Sequence, residues 1–254
     1  MIIGHELYGG GPDGVVVMHD FYGCRHTWDH ARSYFDTERY TFAFMELRGY
    51  GSSRDFKGDY TVEEAAGDAL NLASDLGWER FHVVGHSISG MVAQRVVVDG
   101  GDRVKSAILN TPVPATGVGT FAPEGLELVI QSVDDDGALR TAFDALTGNR
   151  LGDGWLNFKI NQTRSTRTRE AQATYIQTTQ TSFLDKAEGN ETPMLLIIGE
   201  YDMEPFTEST ATETFVKWYP NIEMTICRNA GHYPQQEAPV FVATKMMEFL
   251  HKQA

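Results

Sequence analysis

Positive charge is scarce in this sequence. It carries 21 Lys and Arg against 35 Asp and Glu, a formal net charge of −14 over 254 residues. A phosphate backbone selects for a basic face, so this balance argues against nucleic acid as a partner. It argues equally against an anionic membrane surface. Cysteine is scarcer still: Cys24 and Cys227 are the only two, match no metal-ligand spacing and make no disulfide framework. Two reduced thiols in a cytoplasmic protein are the expectation. No apolar run reaches the about 18 residues of a membrane-spanning helix. The start, Met1-Ile2-Ile3-Gly4-His5-Glu6, lacks the basic opening and apolar stretch of a secretory signal. Repeats, low-complexity tracts and a phosphate-binding glycine loop with lysine are missing as well, so nucleotide use is not indicated.

What is present is a globular composition, 41% hydrophobic, in a chain long enough to bury a large core without disulfide or metal. Short apolar runs alternate with helical patterns, which predicts a mostly parallel sheet flanked by helices. The predicted strands are Val15–Met18, Tyr40–Met45, Phe81–Val84, Ala107–Leu109, Met194–Ile198 and Ile222–Ile226. Helical spacing covers residues 61–76, with Thr61 as N-cap, Glu64 completing a capping box and Gly77 as the stop. Helices are also expected over 90–98 and 240–250. The interval 114–188 is rich in Thr, Gln, Asp and Arg and shows no strong strand. A loop of that length is improbable, so a helical insertion is expected, placed over the carboxyl ends of the strands where ligands bind.

The strand Phe81–Val84 runs through Gly85-His86-Ser87-Ile88-Ser89-Gly90 into a helix. A serine between small residues at a strand-to-helix turn is a nucleophile elbow, in which a strained turn lifts the hydroxyl clear of the sheet. Ser89 stands where glycine is usual, and a helix-terminus role is expected of it.

With the elbow in place, the sequence resembles the α/β-hydrolase superfamily from about Val15 to Leu250. His19-Asp20-Phe21 resembles its oxyanion loop, and Glu46-Leu47-Arg48-Gly49-Tyr50-Gly51-Ser52-Ser53 its arginine turn. Gly199-Glu200-Tyr201-Asp202 resembles its acid turn, and Ala230-Gly231-His232 its histidine loop. The resemblance implies an α/β-hydrolase fold: a mostly parallel central sheet in a core of residues 1–113 and 189–254, with a helical cap at 114–188. It also implies no cofactor and no metal. Two further departures stand out. Glu46 replaces Asp, and Asp20 replaces Gly, where a carboxylate facing a developing oxyanion would oppose it.

The order Ser87, Asp202, His232 fits a nucleophile, an orienting acid and a general base. Glu200 is a rival acid, with Glu204 behind it. The expected oxyanion donors are the backbone N–H groups of Phe21 and Ile88. His86, Trp155 and Arg164 are candidate substrate-binding residues. Arg164, Arg167 and Arg169 could clamp a carboxylate or simply form a solvated face. Trp28, Phe121, Phe143, Phe158 and Phe183, with Trp155, are aromatic pocket candidates. His26 and His30 sit four apart without an evident third metal ligand. The expected activity is hydrolysis of a small carboxylic ester or lactone. The alternatives are carbon–carbon bond hydrolysis or cofactor-free perhydrolysis, and, from the Gly85–Ser89 likeness to strigolactone- and karrikin-type receptors, slow-turnover signalling. Leu109-Asn110-Thr111 is similar to enol-lactone hydrolases. The expected partner is a small-molecule substrate, and the expected state a monomer or homodimer.

Overall fold

The computed structural model describes residues 2–118 and 123–253. Seven strands form one sheet: β1 (His5–Gly9), β2 (Asp13–Met18), β3 (Tyr40–Met45), β4 (Phe81–His86), β5 (Val104–Asn110), β6 (Met194–Gly199) and β7 (Ile222–Cys227). Their order is β1-β3-β2-β4-β5-β6-β7. All pairings are parallel except β1 with β3, which is antiparallel.

The apolar runs exist because the central strands are covered on both faces. Side chains alternate along each strand. Val16, Met18, Ala43 and Leu196 enter one core with the helices Val62–Asp75 and Ile88–Gly100. Val15, Val17, Phe42 and Ile197 enter the other, against Trp28 and the closing helix Pro239–Lys252. Strand β1 escaped the sequence reading because it is an edge strand. Leu7 is half exposed, and the stretch His5–Gly9 carries no continuous apolar signal.

The helix Val62–Asp75 ends as its sequence dictates. Thr61 Oγ1 accepts from Glu64 N–H at 3.1 Å, but Glu64 reaches back to the N–H of Tyr60 rather than to that of Thr61. At the other end Gly77 has φ +74°, with Gly77 N–H donating to Ser74 O and Trp78 N–H to Ala73 O. This doubly bonded left-handed stop favours glycine.

Between β5 and β6 the described chain forms the helices Pro123–Ser132, Asp136–Leu146, Asp153–Thr166, Arg169–Thr178 and Leu184–Ala187. They are bolted to the arginine turn: Thr168 N–H donates to Gly49 O at 2.7 Å, and Arg54 Nη1 to Ser165 O at 3.0 Å. No helix among the described residues is long and apolar enough to cross a membrane.

Leu196 is fully buried in the centre of β6. Leu196→Ala is expected to lower unfolding free energy by about 2–5 kcal/mol in urea titration, as a cavity-forming core truncation does.

Candidate active site

Ser87 sits between β4 and the helix Ile88–Gly100 with φ 57° and ψ −118°. A non-glycine residue in this region costs about 1–3 kcal/mol and persists only where its surroundings over-determine it. Here they do. Ser87 N–H donates to Asn110 O at 3.0 Å, and Ser87 O accepts from Gly90 and Val113 N–H, each at 2.9 Å. A Cβ on Gly85 would lie 1.9 Å from Ser89 O, so only glycine fits there. Ser89 does not cap the helix as expected. Its hydroxyl donates to His19 O, tying the elbow helix to the loop after β2.

That loop is fixed by His19. Leu47 N–H can only donate, so the Nε2 that it meets at 3.2 Å is the acceptor and Nδ1 carries the proton. Nδ1 donates to Asp20 O at 2.7 Å, and Gly23 N–H donates to the same oxygen. In a trans peptide the N–H opposes the C=O, so the Phe21 N–H is turned away from these partners. Phe21 O accepts from Tyr50 Oη at 2.9 Å, which fixes the following peptide. The Asp20 carboxylate is buried. Oδ1 accepts from Thr27 Oγ1 at 3.0 Å, and Oδ2 accepts from Tyr22 N–H and Tyr233 Oη, each at 3.2 Å. These bonds turn it away from the cavity that Phe21 lines.

His232 is pinned through its backbone. Its N–H donates to Leu146 O at 2.8 Å; its carbonyl accepts from His86 Nε2 at 2.7 Å and Thr111 Oγ1 at 3.0 Å. The buried Glu237 carboxylate accepts from the N–H groups of Gly231 and Tyr233 on either side, and pairs with Arg150 at 2.8 Å. His232 Nδ1 donates to Asp202 Oδ2 at 2.7 Å. Of the rival acids, Glu200 pairs with Arg228 and Asn229 N–H, and Glu204 accepts from Thr207 and Thr210. Burial pushes the His232 imidazole down to about 4, so at neutral pH the ring is an unprotonated base.

Ser87, Ile88, Phe21 and His232 line one cavity. As the first residue of its helix, Ile88 has an N–H with no partner four residues back. The remaining wall is mostly apolar and includes Tyr22, Val113, Leu126, Leu146, Ile176, Met203 and Phe206. The Phe206 ring lies 4.4 Å from that of His232. Phe206 was missed by the sequence reading, although its place four residues after Asp202 put it beside the site.

A sequence model of the alpha/beta hydrolase family matches residues 15–245. The chain belongs to the alpha/beta hydrolase family. Over 113 residues it is 32% identical to a fluoroacetate dehalogenase of a Burkholderia species, covering 42% of this chain and 37% of that protein. Over 195 residues it is 24% identical to the carboxylesterase nap of Bacillus subtilis, covering 72% of this chain and 60% of that one. It therefore spans less than two thirds of the length of either relative. Among solved structures it is similar to a bromoperoxidase from Bacillus anthracis, with a TM-score of 0.85, 18% identity and coverage of 97% and 94%. An esterase from Exiguobacterium antarcticum has the same TM-score and coverage at 14% identity. At such identities the likeness is one of fold.

Within this alpha/beta hydrolase the three substrate-binding candidates lie elsewhere. His86 is fully buried; its Nδ1 accepts from Gln235 at 3.0 Å while Nε2 holds the His232 carbonyl, so the ring braces the histidine loop and does not face the cavity. Trp155 packs edge-on against Phe143 and Tyr233. Arg164 is spent on Asp136 Oδ1 at 2.7 Å and the carbonyls of Val133 and Ser132. Arg167 donates to Val133 O, and Arg169 grips Asp134 with two bonds. None of the three arginines lines the cavity that holds Ser87, and Arg169 with its partner Asp134 is exposed to solvent. The cluster clamps the turn between two helices, whose carbonyls and aspartate carboxylates accept its hydrogen bonds.

Phe143 and Phe183 are core, Trp28 donates to Met18 O beneath the loop that follows β2, and Phe158 is half exposed in a separate groove. Phe121 lies outside the described residues. His26 pairs with Asp29 at 2.9 Å. Glu46, in place of Asp, accepts from Ser52 N–H and Oγ and from Arg25, so the longer side chain still closes the arginine turn.

Ser89→Gly would restore the family's usual residue and strand the His19 carbonyl. Loss of this buried bond is expected to destabilise the protein by about 1–3 kcal/mol, read by thermal or urea unfolding.

Proposed function

We propose that this protein hydrolyses carboxylic esters or lactones of small molecules, with Ser87 as nucleophile, His232 as general base and acid, and Asp202 as its orienting partner. The observation that carries the reading is one cavity that brings Ser87, His232, Phe21 and Ile88 together while Asp202 holds the far side of the imidazole. His232 takes the Ser87 proton as the oxygen attacks the acyl carbon, and the N–H groups of Phe21 and Ile88 receive the oxyanion. His232 then returns the proton to the leaving alcohol, and water repeats the sequence on the acyl-enzyme. A serine oxygen that attacks an acyl carbon leaves an ester that water can cleave, whereas one that displaces halide at a saturated carbon leaves an alkyl ether with no acyl carbon for water to attack, so the cycle would not close. That difference favours ester chemistry over the reaction in the dehalogenase's name.

In this reading residues 114–188 are a helical lid on a core of 1–113 and 189–254. Support comes from Val118, Leu126, Val129, Leu146 and Ile176, which wall the cavity from that interval. The apolar wall suits an uncharged acyl group, which loses little solvation on entry.

A panel of p-nitrophenyl esters and lactones tests this. Ser87→Ala is expected to lose at least roughly 10³-fold in kcat and Asp202→Asn somewhat less. Full activity in Ser87→Ala sinks the reading. The base must be unprotonated to act, so activity is lost as pH falls through its pKa. With that value near 4, kcat/KM is expected to stay flat from pH 8 to about 5 and fall only below it. A limb centred near the ordinary histidine value of about 6.5 would contradict the desolvated base.

A further inference from the structure

The mechanism above leaves one buried cation without a task. Lys159, on the helix Asp153–Thr166, is fully buried, donates to Gln162 Oε1 at 3.0 Å, and holds its ammonium 4.3 Å from the centre of the Tyr233 ring. Tyr233 follows His232 and gives its hydroxyl to Asp20 Oδ2. Tyr233 is therefore gripped at its face by a cation and at its tip by a carboxylate. One turn beyond Lys159, Thr163 Oγ1 donates to Tyr22 O at 2.8 Å, so the same helix also holds the oxyanion loop directly.

We propose that Lys159 and Asp20 act as a buried charge couple, bridged by Tyr233, that positions the oxyanion loop and the His232 loop against the helical interval. Lys159 is then a positioning residue for the reaction, and Asp20 is kept where glycine is usual because the couple needs it. The proposal rests on the serine-hydrolase reading for its kinetic consequences, though not for its electrostatic ones.

Physical support comes from the two charges themselves. Burial works against the Asp20 carboxylate; Lys159, His86 and His19 hold it ionised, and the charge of Lys159 is the largest single attraction. Burial also pulls the Lys159 ammonium down, opposed by Asp20 and by Cys24 nearby. Removing one member strands the other without compensation, whereas removing both does not. The charged and titratable groups around His232 are Asp202, Asp20, Glu237, Lys159 and His86. Among these the Lys159 ammonium is the group that opposes a second positive charge on the ring, so with Asp20 kept ionised by its three hydrogen-bond donors its loss makes His232 easier to protonate.

The test uses Lys159→Met, Asp20→Asn and the double variant. The His232 ring is titrated by NMR, thermal unfolding is recorded, and kcat and KM are measured on p-nitrophenyl acetate. In Lys159→Met the His232 midpoint is expected to rise, and kcat to fall roughly ten- to hundredfold with KM within about twofold. The double variant should unfold at a higher temperature than Lys159→Met. An unmoved His232 midpoint, or stability losses that simply add, overturns the couple. Should Lys159→Met fail to fold, a folded double variant supports the couple and an unfolded one overturns it. A wild-type protein that neither hydrolyses esters nor takes a fluorophosphonate label at Ser87 overturns the serine-hydrolase reading alone, because the titration and the stability cycle need no activity.

Discussion

The site depends on the immobility of one peptide segment, Gly231–Tyr233. Three successive N–H groups are bound, two to Glu237 and one to Leu146 O, and the His232 carbonyl takes two donors. With the backbone held, the side chain needs only Asp202 to fix its ring. A ring held in this way keeps little conformational freedom of its own. The donors come from β4 and the loop after β5, and the acceptors from the closing helices and the helical interval. The sheet thus acts as a jig that brings distant segments to one point.

The turn at Ser87 and the loop after β2 are fixed by the same means. The strained backbone of Ser87 is tolerated because three hydrogen bonds and the close approach of Gly85 to Ser89 leave no relaxed alternative. Ser89 then carries that rigidity across to His19. His19 in turn holds the peptide whose N–H belongs to Phe21. The three departures from the usual family residues, Asp20, Glu46 and Ser89, all add side-chain hydrogen bonds to this frame. None of them faces the cavity.

The sheet was legible because a strand covered on both faces must be apolar throughout, as Met194–Gly199 is. The edge strand His5–Gly9 was not, because its one-sided burial leaves a weak pattern. The positions of Ser87, Asp202 and His232 were legible because tight turns with small residues mark the strand ends. What Arg164, His86 and Trp155 do was not legible. A charged or aromatic side chain reads the same whether it meets substrate or a neighbour, and their partners lie on other elements. The cavity wall was equally hidden, since short polar helices such as Arg169–Thr178 do not announce which face turns inward.

The bond from His232 N–H to the carbonyl of Leu146, at the end of the helix Asp136–Leu146, has an architectural consequence. Together with Arg150 on Glu237, it makes the helical interval part of the frame that holds the imidazole. The interval is therefore not an interchangeable module. Grafting in a relative's helices would have to carry over the Leu146 and Arg150 contacts, or the His232 loop would lose two of its anchors.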